Sequence, residues 1–573
     1  MSEDGEIQGA DIHAIGISFG NSNSSIAYTS GEGKAEVIAN EEGDRQIPSV
    51  LSYVEGEEFH GTQAKLQLVR NSKNTVASFR DYIGKNFDSI DPTPCHASAH
   101  PQQQDSTIAF SIQDTASETQ NEVSVSEITT RHVRRLASSA SDFLGKKINA
   151  AVISVPTNFT DEQRLALTEA SKASGVEVLQ TISEPTAAVL AYDARPETEL
   201  KDKNVLVADL GGTRSDIAVI ASRGGMYSIL STSHDYETAG VQLDQVLIDH
   251  FAKEFMKKNK NTDPRQNARS LAKLKLEAEA TKKALSLGGN ASLSVESLAD
   301  GIDFSSNINR TRYEMLAGKV FGSFTRIIEE TVRKADLDIL DIDEVILSGG
   351  TSHTPRISQN LQKLFAPTTR IFSPSTLPTA IDPSTLAARG AAIQASLVQE
   401  FEKEDIEQST HPMVTATPHL RNAIGVMVVS EDVKKGLFTA LVEKETAVPC
   451  RRAGVFAVPR EGGDVIVKIC EGIRDIKVTK KEKPKTNGKA ASDDSDLDSD
   501  EEEEDEEIRE KIWTVGTVLA EAAVKDVKKG GKVEVTVNVG ADLGVQITAR
   551  EFGGKGGVRG NLEKPKIVEN GSA

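Results

Sequence analysis

The sequence predicts a two-lobed α/β domain over roughly the first 400 residues, followed by an all-β domain. Three observations carry this. Apolar strand runs end in glycine turns at Gly20, at Gly211–Gly212 and at Gly349–Gly350. The first of these designs returns later in the chain, with Ser18 matched by Asp209, 191 residues on. Near the C-terminus, Lys532–Val539 alternates valines onto one face, as a half-buried strand does. At 573 residues the chain is also too long for one compact core.

In chain order, the apolar run Ala14–Ile17 breaks at Gly20, and strands resume at Ser25–Tyr28 and Lys34–Ile38 around Gly31 and Gly33. Thr160-Asp-Glu-Gln163 reads as a capping box opening a helix that runs to Ser174 and stops at Gly175. After the strand Glu177–Ile182, Ser183 is placed to cap a second helix with proline in its first turn. Glu184 at that helix start either holds magnesium-bound water or stabilises the helix dipole; local sequence leaves both open. Val205–Ala208 then runs into Asp209-Leu-Gly-Gly-Thr-Arg-Ser-Asp216 and the apolar Ile217–Ile220. Leu271–Leu285 is a periodic, charged helix on which Glu279, Lys282, Lys283 and Ser286 fall within two turns. Strand Glu344–Leu347 leads to Ser348-Gly-Gly-Thr351. Backbone N–H groups in such turns can converge on phosphate oxygens with no side chain in the way. One turn would be weak evidence; three in this order point to a phosphate-bearing ligand between two lobes.

Composition narrows the class. Three cysteines, Cys95, Cys450 and Cys470, give neither a disulfide framework nor metal-ligand spacing. The acidic start carries no charged-then-apolar leader pattern, and no apolar run approaches membrane-spanning length, so a reducing cytoplasmic setting is expected. No basic patch of nucleic-acid type stands out. Of the net charge of −20, Asp493–Glu507 supplies 12 acidic residues within 15, leaving only −8 for the rest. Such a run repels itself and is expected as a disordered insertion over 480–508, preceded by six lysines between Lys477 and Lys489. It is either a solvated linker or a docking segment, and Ser495 and Ser499 sit in a context that suits an acid-directed kinase.

These motifs together resemble the 70-kilodalton heat-shock chaperone family. The resemblance spans residues 11–400 through Ile15-Gly-Ile-Ser-Phe-Gly20, Val155-Pro156, Ser183-Glu-Pro-Thr-Ala-Ala188, Asp209-Leu-Gly-Gly212, Ser348-Gly-Gly350 and Asp382-Pro383 to Gly390-Ala-Ala392. It implies an actin-like, duplicated ATPase fold. It also implies that Gly20, Asn21 and Ser22 form phosphate loop one and Gly211, Gly212 and Thr213 loop two. Glu279, Lys282, Lys283 and Ser286 would face the adenosine of ATP from one side, Gly349, Gly350 and Thr351 from the other. Three positions depart from the family pattern: Ser18 replaces an aspartate that organises the magnesium shell, Arg80 a lysine that orients the attacking water, and Arg214 lies in the second loop near the γ-phosphate. Arginine keeps the charge as a planar fork instead of a point. With Glu184 and Asp209 retained, the expectation is a site that holds ATP and hydrolyses it very weakly or not at all, since small misplacements can cost about 100-fold. Arg214 either supplies charge near the γ-phosphate, reducing the need for Mg2+, or points to solvent.

Beyond residue 400 a polar linker is expected over 401–414, with Asp405-Ile-Glu-Gln-Ser-Thr-His-Pro412 where the family has an apolar segment. A β-sandwich over 415–552 and a glycine-rich tail over 553–573 follow, and the 23 residues after Arg550 leave no room for the family's helical lid. These features resemble one subgroup, the atypical members that pair stably with the J-domain protein zuotin in the fungal ribosome-associated complex. The resemblance implies a stable J-domain partner, indirect contact with the ribosome, and stimulation of a second, ribosome-bound chaperone of the same family. It implies no direct nucleic-acid or membrane contact. An active ATP-hydrolysing chaperone and an actin-like small-molecule kinase are the alternatives.

Overall fold

The computed structural model describes residues 13–90, 98–399, 420–480 and 507–562, apart from 32, 105–106, 118, 196–197, 199–202, 224–225, 260–261, 336, 421, 431–432, 443–447, 458–462, 541 and 555. The chain forms two compact units, Met1–Thr417 and Pro418–Ala573. The expected linker 401–414 lies outside the described residues, as do Cys95 and the acidic run up to residue 506. Among the described residues no helix is long and apolar enough to cross a membrane.

The first unit contains two lobes built to one plan. In lobe I the sheet runs Glu177–Ser183, Ala150–Val155, Ala14–Phe19, Asn23–Thr29, Ala35–Ile38. In lobe II it runs Met226–Asp235, Ser215–Arg223, Lys203–Leu210, Glu344–Ser348, Arg370–Phe372. Each has a leading antiparallel hairpin with a later strand parallel to its first arm. Ser18 pairs with Ser25 across the hairpin and with Ser154 in parallel; Asp209 pairs with Asp216 and with Ser348 in the same way. Register therefore matches Ser18 with Asp209, the pair that defined the repeat in the sequence.

Helix punctuation follows local chemistry. Thr160 and Gln163 form the capping box, with both bonds at 3.3 Å, and the helix Asp161–Ala173 ends before Gly175 at φ 91°. Ser183 does occupy the cap position of Glu184–Asp193, but its hydroxyl donates to Thr186 Oγ1 at 2.6 Å and caps no backbone N–H. The helix is held by packing instead. It crosses Leu386–Gln399 so closely that a Cβ on Gly390 would lie 1.9 Å from the Ala187 carbonyl oxygen. A Cβ on Gly16 would lie 2.1 Å from the Ala392 nitrogen. Ala188, Val189, Val205, Ile346 and Leu386 bury a shared core at this crossing.

The second unit packs two four-stranded antiparallel sheets. One runs Val433–Val442, Ala423–Ser430, Gly463–Lys480, Glu507–Val527; the other runs Cys450–Ala457, Lys532–Val539, Val545–Glu551, Gly557–Leu562. Val533, Val535, Val537 and Val539 fill the core between them, as their alternation requires. Two boundaries differ from expectation. The span expected to be a glycine-rich tail contains the strand Gly557–Leu562, because the open edge of Val545–Glu551 supplies ladder partners that do not depend on an apolar pattern. The expected insertion 480–508 is narrower, since Lys480 pairs with Glu507 and Thr479 with Ile508 in a long hairpin.

Candidate nucleotide site

Between the lobes lies a cleft of about 690 Å3, continuous in its lining with a small cavity of about 90 Å3 at its floor. Asn21, Ser22, Gly212 and Gly350 line both. The two expected phosphate loops meet across the lobes. Asn21 Nδ2 donates to Thr213 Oγ1 at 3.1 Å, and a Cβ on Gly212 would lie 2.3 Å from Ser22 Oγ. Loop two is pinched by Gly211 N donating to Arg214 O at 2.9 Å, while the Gly211 carbonyl accepts from Gly240 N and from Thr351 Oγ1. The third turn is thereby tied to the second. Gly349 has φ 80°, and a Cβ there would strike Leu210 O at 2.4 Å and Asp209 Oδ1 at 2.8 Å, so the position demands glycine.

Glu279, Lys282, Lys283 and Ser286, on the helix Ala268–Leu287, all line the large cleft, on the face their spacing predicted. Lys282 Nζ reaches Gly240 O at 3.0 Å and Asp244 at 2.9 Å. Glu279 is gripped by Lys283 at 2.8 Å and, across the lobes, by Lys65 at 2.6 Å. Burial alone would raise its carboxyl, yet these two ammonium groups hold it well below the usual range.

The three departures cluster at the small cavity, where Ser18, Arg80, Glu184, Asp209 and Arg214 are brought together. Arg80 is buried, with Nε and Nη2 on Asp81 Oδ1 at 2.9 and 2.8 Å and Nη1 3.3 Å from Glu184 Oε1. Of the two settings expected for Arg214, burial excludes the solvent-facing one, and the side chain lines the small cavity. It is 4% exposed, and its donors are occupied by protein: Nε by Asp216 at 2.6 Å, Nη1 by Tyr236 at 2.8 Å, Nη2 by Asn158 at 2.9 Å and by Asp216. Asn158 belongs to lobe I, so this side chain also pins the lobes together. Burial opposes both guanidinium charges, but Asp81 with Glu184, and Asp216 with Tyr236, hold them raised. Asp216 goes the other way: despite burial, Arg214 and His234 keep it well below the usual range.

Glu184 and Asp209 behave differently again. Burial pushes Glu184 up to about 8, with Asp209 and Asp216 adding to the rise against Arg80. Burial pushes Asp209 up to about 6, against the hydrogen bond from Ser348 Oγ at 2.7 Å. Two carboxyls that repel each other's charge in a buried cavity are suited to receiving a cation. Among the described residues no group of three or more His, Cys, Asp or Glu side chains forms a direct metal cage.

Several site residues escaped the sequence reading. Asp81 and Asp216 lie one and two residues from Arg80 and Arg214, so charge adjacency was the available signal. Lys65, Asn158 and Tyr236 come from distant segments and carry no local signal. His353, 2.7 Å from Ser384 Oγ and 3.1 Å from Asp382 Oδ1, lines the cleft with no motif to mark it.

Repeated α/β lobes that close on paired glycine turns, followed by a β-sandwich unit, have the architecture of a two-lobed nucleotide-binding protein. The chain belongs to the Hsp70 family, whose model, described as Hsp70 protein, matches residues 14–482. It is similar to a heat shock protein 70 homolog of Schizosaccharomyces pombe, 44% identical over 554 residues, covering 96% of this chain and 95% of that one. It is similar to the ribosome-associated complex subunit SSZ1 of Saccharomyces cerevisiae, 40% identical over 549 residues, 96% and 99% of the two chains. Heat shock 70 kDa protein 14 of Danio rerio is 33% identical over 470 residues, 81% and 89%.

Proposed function

We propose that this chain is a non-standard Hsp70-type subunit that holds ATP with little or no hydrolysis and works with a J-domain protein resembling zuotin. The likeness to a ribosome-associated complex subunit, nearly end to end, supports a cytoplasmic co-chaperone role in nascent-chain folding. In that role the ribosome is contacted through the partner, and a second, ribosome-bound Hsp70 receives the stimulus. One observation carries the catalytic part of the reading. At the reacting end both arginines are buried and bonded to protein carboxylates, and Ser18 supplies no carboxylate, so this end of the site presents protein–protein ion pairs where in-line water would need an oriented cation.

Nucleotide phosphates would be met by backbone N–H groups of Gly20–Ser22 and of Gly212 and Thr213, with Gly211 shaping the turn through its own bond to Arg214 O, and Glu279, Lys282, Lys283 and Ser286 facing the adenosine. Asp209 and Glu184 fit a water-mediated Mg2+, which would neutralise phosphate charge. Residues 415–552 would dock the partner by strand edges instead of cycling on clients. Single-turnover hydrolysis of bound ATP, with and without a J-domain and peptide, tests the reading. Slow, unstimulated turnover is expected; acceleration by both would make this an active chaperone. A chain ending at residue 408 should lose the J-domain partner that the full chain retains on purification.

A further inference from the structure

Phosphate loop one is only as firm as whatever fixes its carbonyl groups. Ser49 does this twice: its N–H donates to Ser22 O at 3.0 Å and its hydroxyl to Gly20 O at 2.7 Å. Behind Ser49, the Ser24 hydroxyl lies 2.9 Å from the Ser49 oxygen and 2.9 Å from His132 Nε2. Ser24, Ser49 and His132 are 0–1% exposed. The imidazole sits on the helix Val125–Leu144, outside both cavities, against the rings of Phe19 at 5.4 Å and Phe79 at 5.7 Å.

Proton bookkeeping gives this chain one direction. A carbonyl oxygen only accepts, so the single Ser49 proton is committed to Gly20. The Ser49 oxygen must then accept from Ser24, whose own proton is spent there. Ser24 can therefore only accept from His132, which requires the Nε2–H tautomer with Nδ1 bare. Nδ1 is a buried atom without a hydrogen-bond partner among the described residues, where a bare acceptor costs less than an unpaired N–H would. Burial pushes the ring down to about 3, with His60 adding to the fall, so it stays a neutral donor at physiological pH.

We propose that His132 is a positioning residue for phosphate loop one: through Ser24 and Ser49 it orients the Gly20 carbonyl and so sets how well the loop's N–H groups meet a polyphosphate. This rests on the reading that loop one grips ATP.

The test compares ATP with adenosine, which lacks the phosphates, by calorimetry on the full chain. His132→Leu removes the donor; His132→Gln returns an N–H near the same place; Ser24→Ala cuts the same chain with the least disturbance of packing. Loss of one neutral hydrogen bond should weaken ATP about five- to tenfold in His132→Leu and Ser24→Ala, with adenosine unchanged and most ATP affinity regained in His132→Gln. If His132→Leu does not fold, Ser24→Ala decides alone. Equal losses for ATP and adenosine, or full ATP affinity in folded Ser24→Ala, overturn the positioning role while leaving the nucleotide site standing. A folded wild type that binds neither ligand overturns both.

Discussion

Replacing Glu184 with glutamine separates two accounts of its carboxyl. A carboxylate serving the dipole of the helix Glu184–Asp193 would be ionised, and its loss would destabilise the protein. The structure instead buries the group to 7% exposure and raises it from 4.5 to about 8. An acid held above its unfolded value gives stability that is fully present below about pH 4.5 and is lost as the pH climbs through about 8. Glutamine has nearly the same shape and cannot ionise. Without nucleotide, wild type and Glu184→Gln should therefore match near pH 5, and the variant should become the more stable one as pH rises. At about 1.4 kcal/mol per pH unit, the gap should grow by about 3–5 kcal/mol between pH 5 and 8. Urea unfolding followed by circular dichroism at pH 5, 6.5 and 8, at fixed ionic strength, reads this directly. A variant that is less stable, by a margin widening with pH, would show that Arg80 holds an ionised carboxylate and would refute the reasoning.

Other outcomes follow from the same geometry. Arg214→Ala leaves the buried Asp216 with only His234 beside it, so it should cost about 3 kcal/mol of stability and affect ATP and ADP alike; adding Asp216→Asn should recover much of the loss in thermal melting. Gly212→Ala puts a Cβ 2.3 Å from Ser22 Oγ and should abolish ATP binding, and Ser22→Gly in the same chain should restore it if that collision is the cause. Lys65→Ala breaks the ion pair to Glu279 across the cleft, each side chain 23% exposed, and should speed ATP release about fivefold for roughly 1 kcal/mol, measured by stopped-flow chase. Magnesium bound with the nucleotide should release protons near pH 7, chiefly from Glu184 and from Asp209 only below about pH 6, seen as calorimetric heats that depend on the buffer.

What the sequence revealed was local or repeated. Thr160 and Gln163 announce a helix start because both halves of the cap lie within four residues. The valines of Lys532–Val539 announce a buried face because their period matches the strand. Glu279 to Ser286 share a face for the same kind of reason. Charge compensation at the cavity floor was invisible, because the partners that determine what Arg80 and Arg214 do arrive from Glu184, Asn158 and Tyr236, far along the chain. Local adjacency to Asp81 and Asp216 gave a hint, but the bond directions depend on how the lobes close. The strand Gly557–Leu562 was missed because an existing sheet edge recruits it, and Gly-Val-Arg-Gly-Asn-Leu carries no pattern of its own.

The crossing of Glu184–Asp193 with Leu386–Gln399 has a mechanical consequence. With Gly390 against Ala187 and Gly16 against Ala392, backbone touches backbone and no side chain is left to slide or repack. Such a contact works as a fulcrum, permitting rotation and resisting translation. Glu184 stands at one end of this crossing, and Gly16 lies two residues before Ser18, so in any rotation about it the cavity floor would travel least. Lys65 and Glu279 belong to the outer cleft, where the same angle sweeps a longer arc. Exchange of a bound molecule could then proceed by parting the rim while the floor keeps its shape, so the rate of release and the chemistry at the floor can be tuned by different residues.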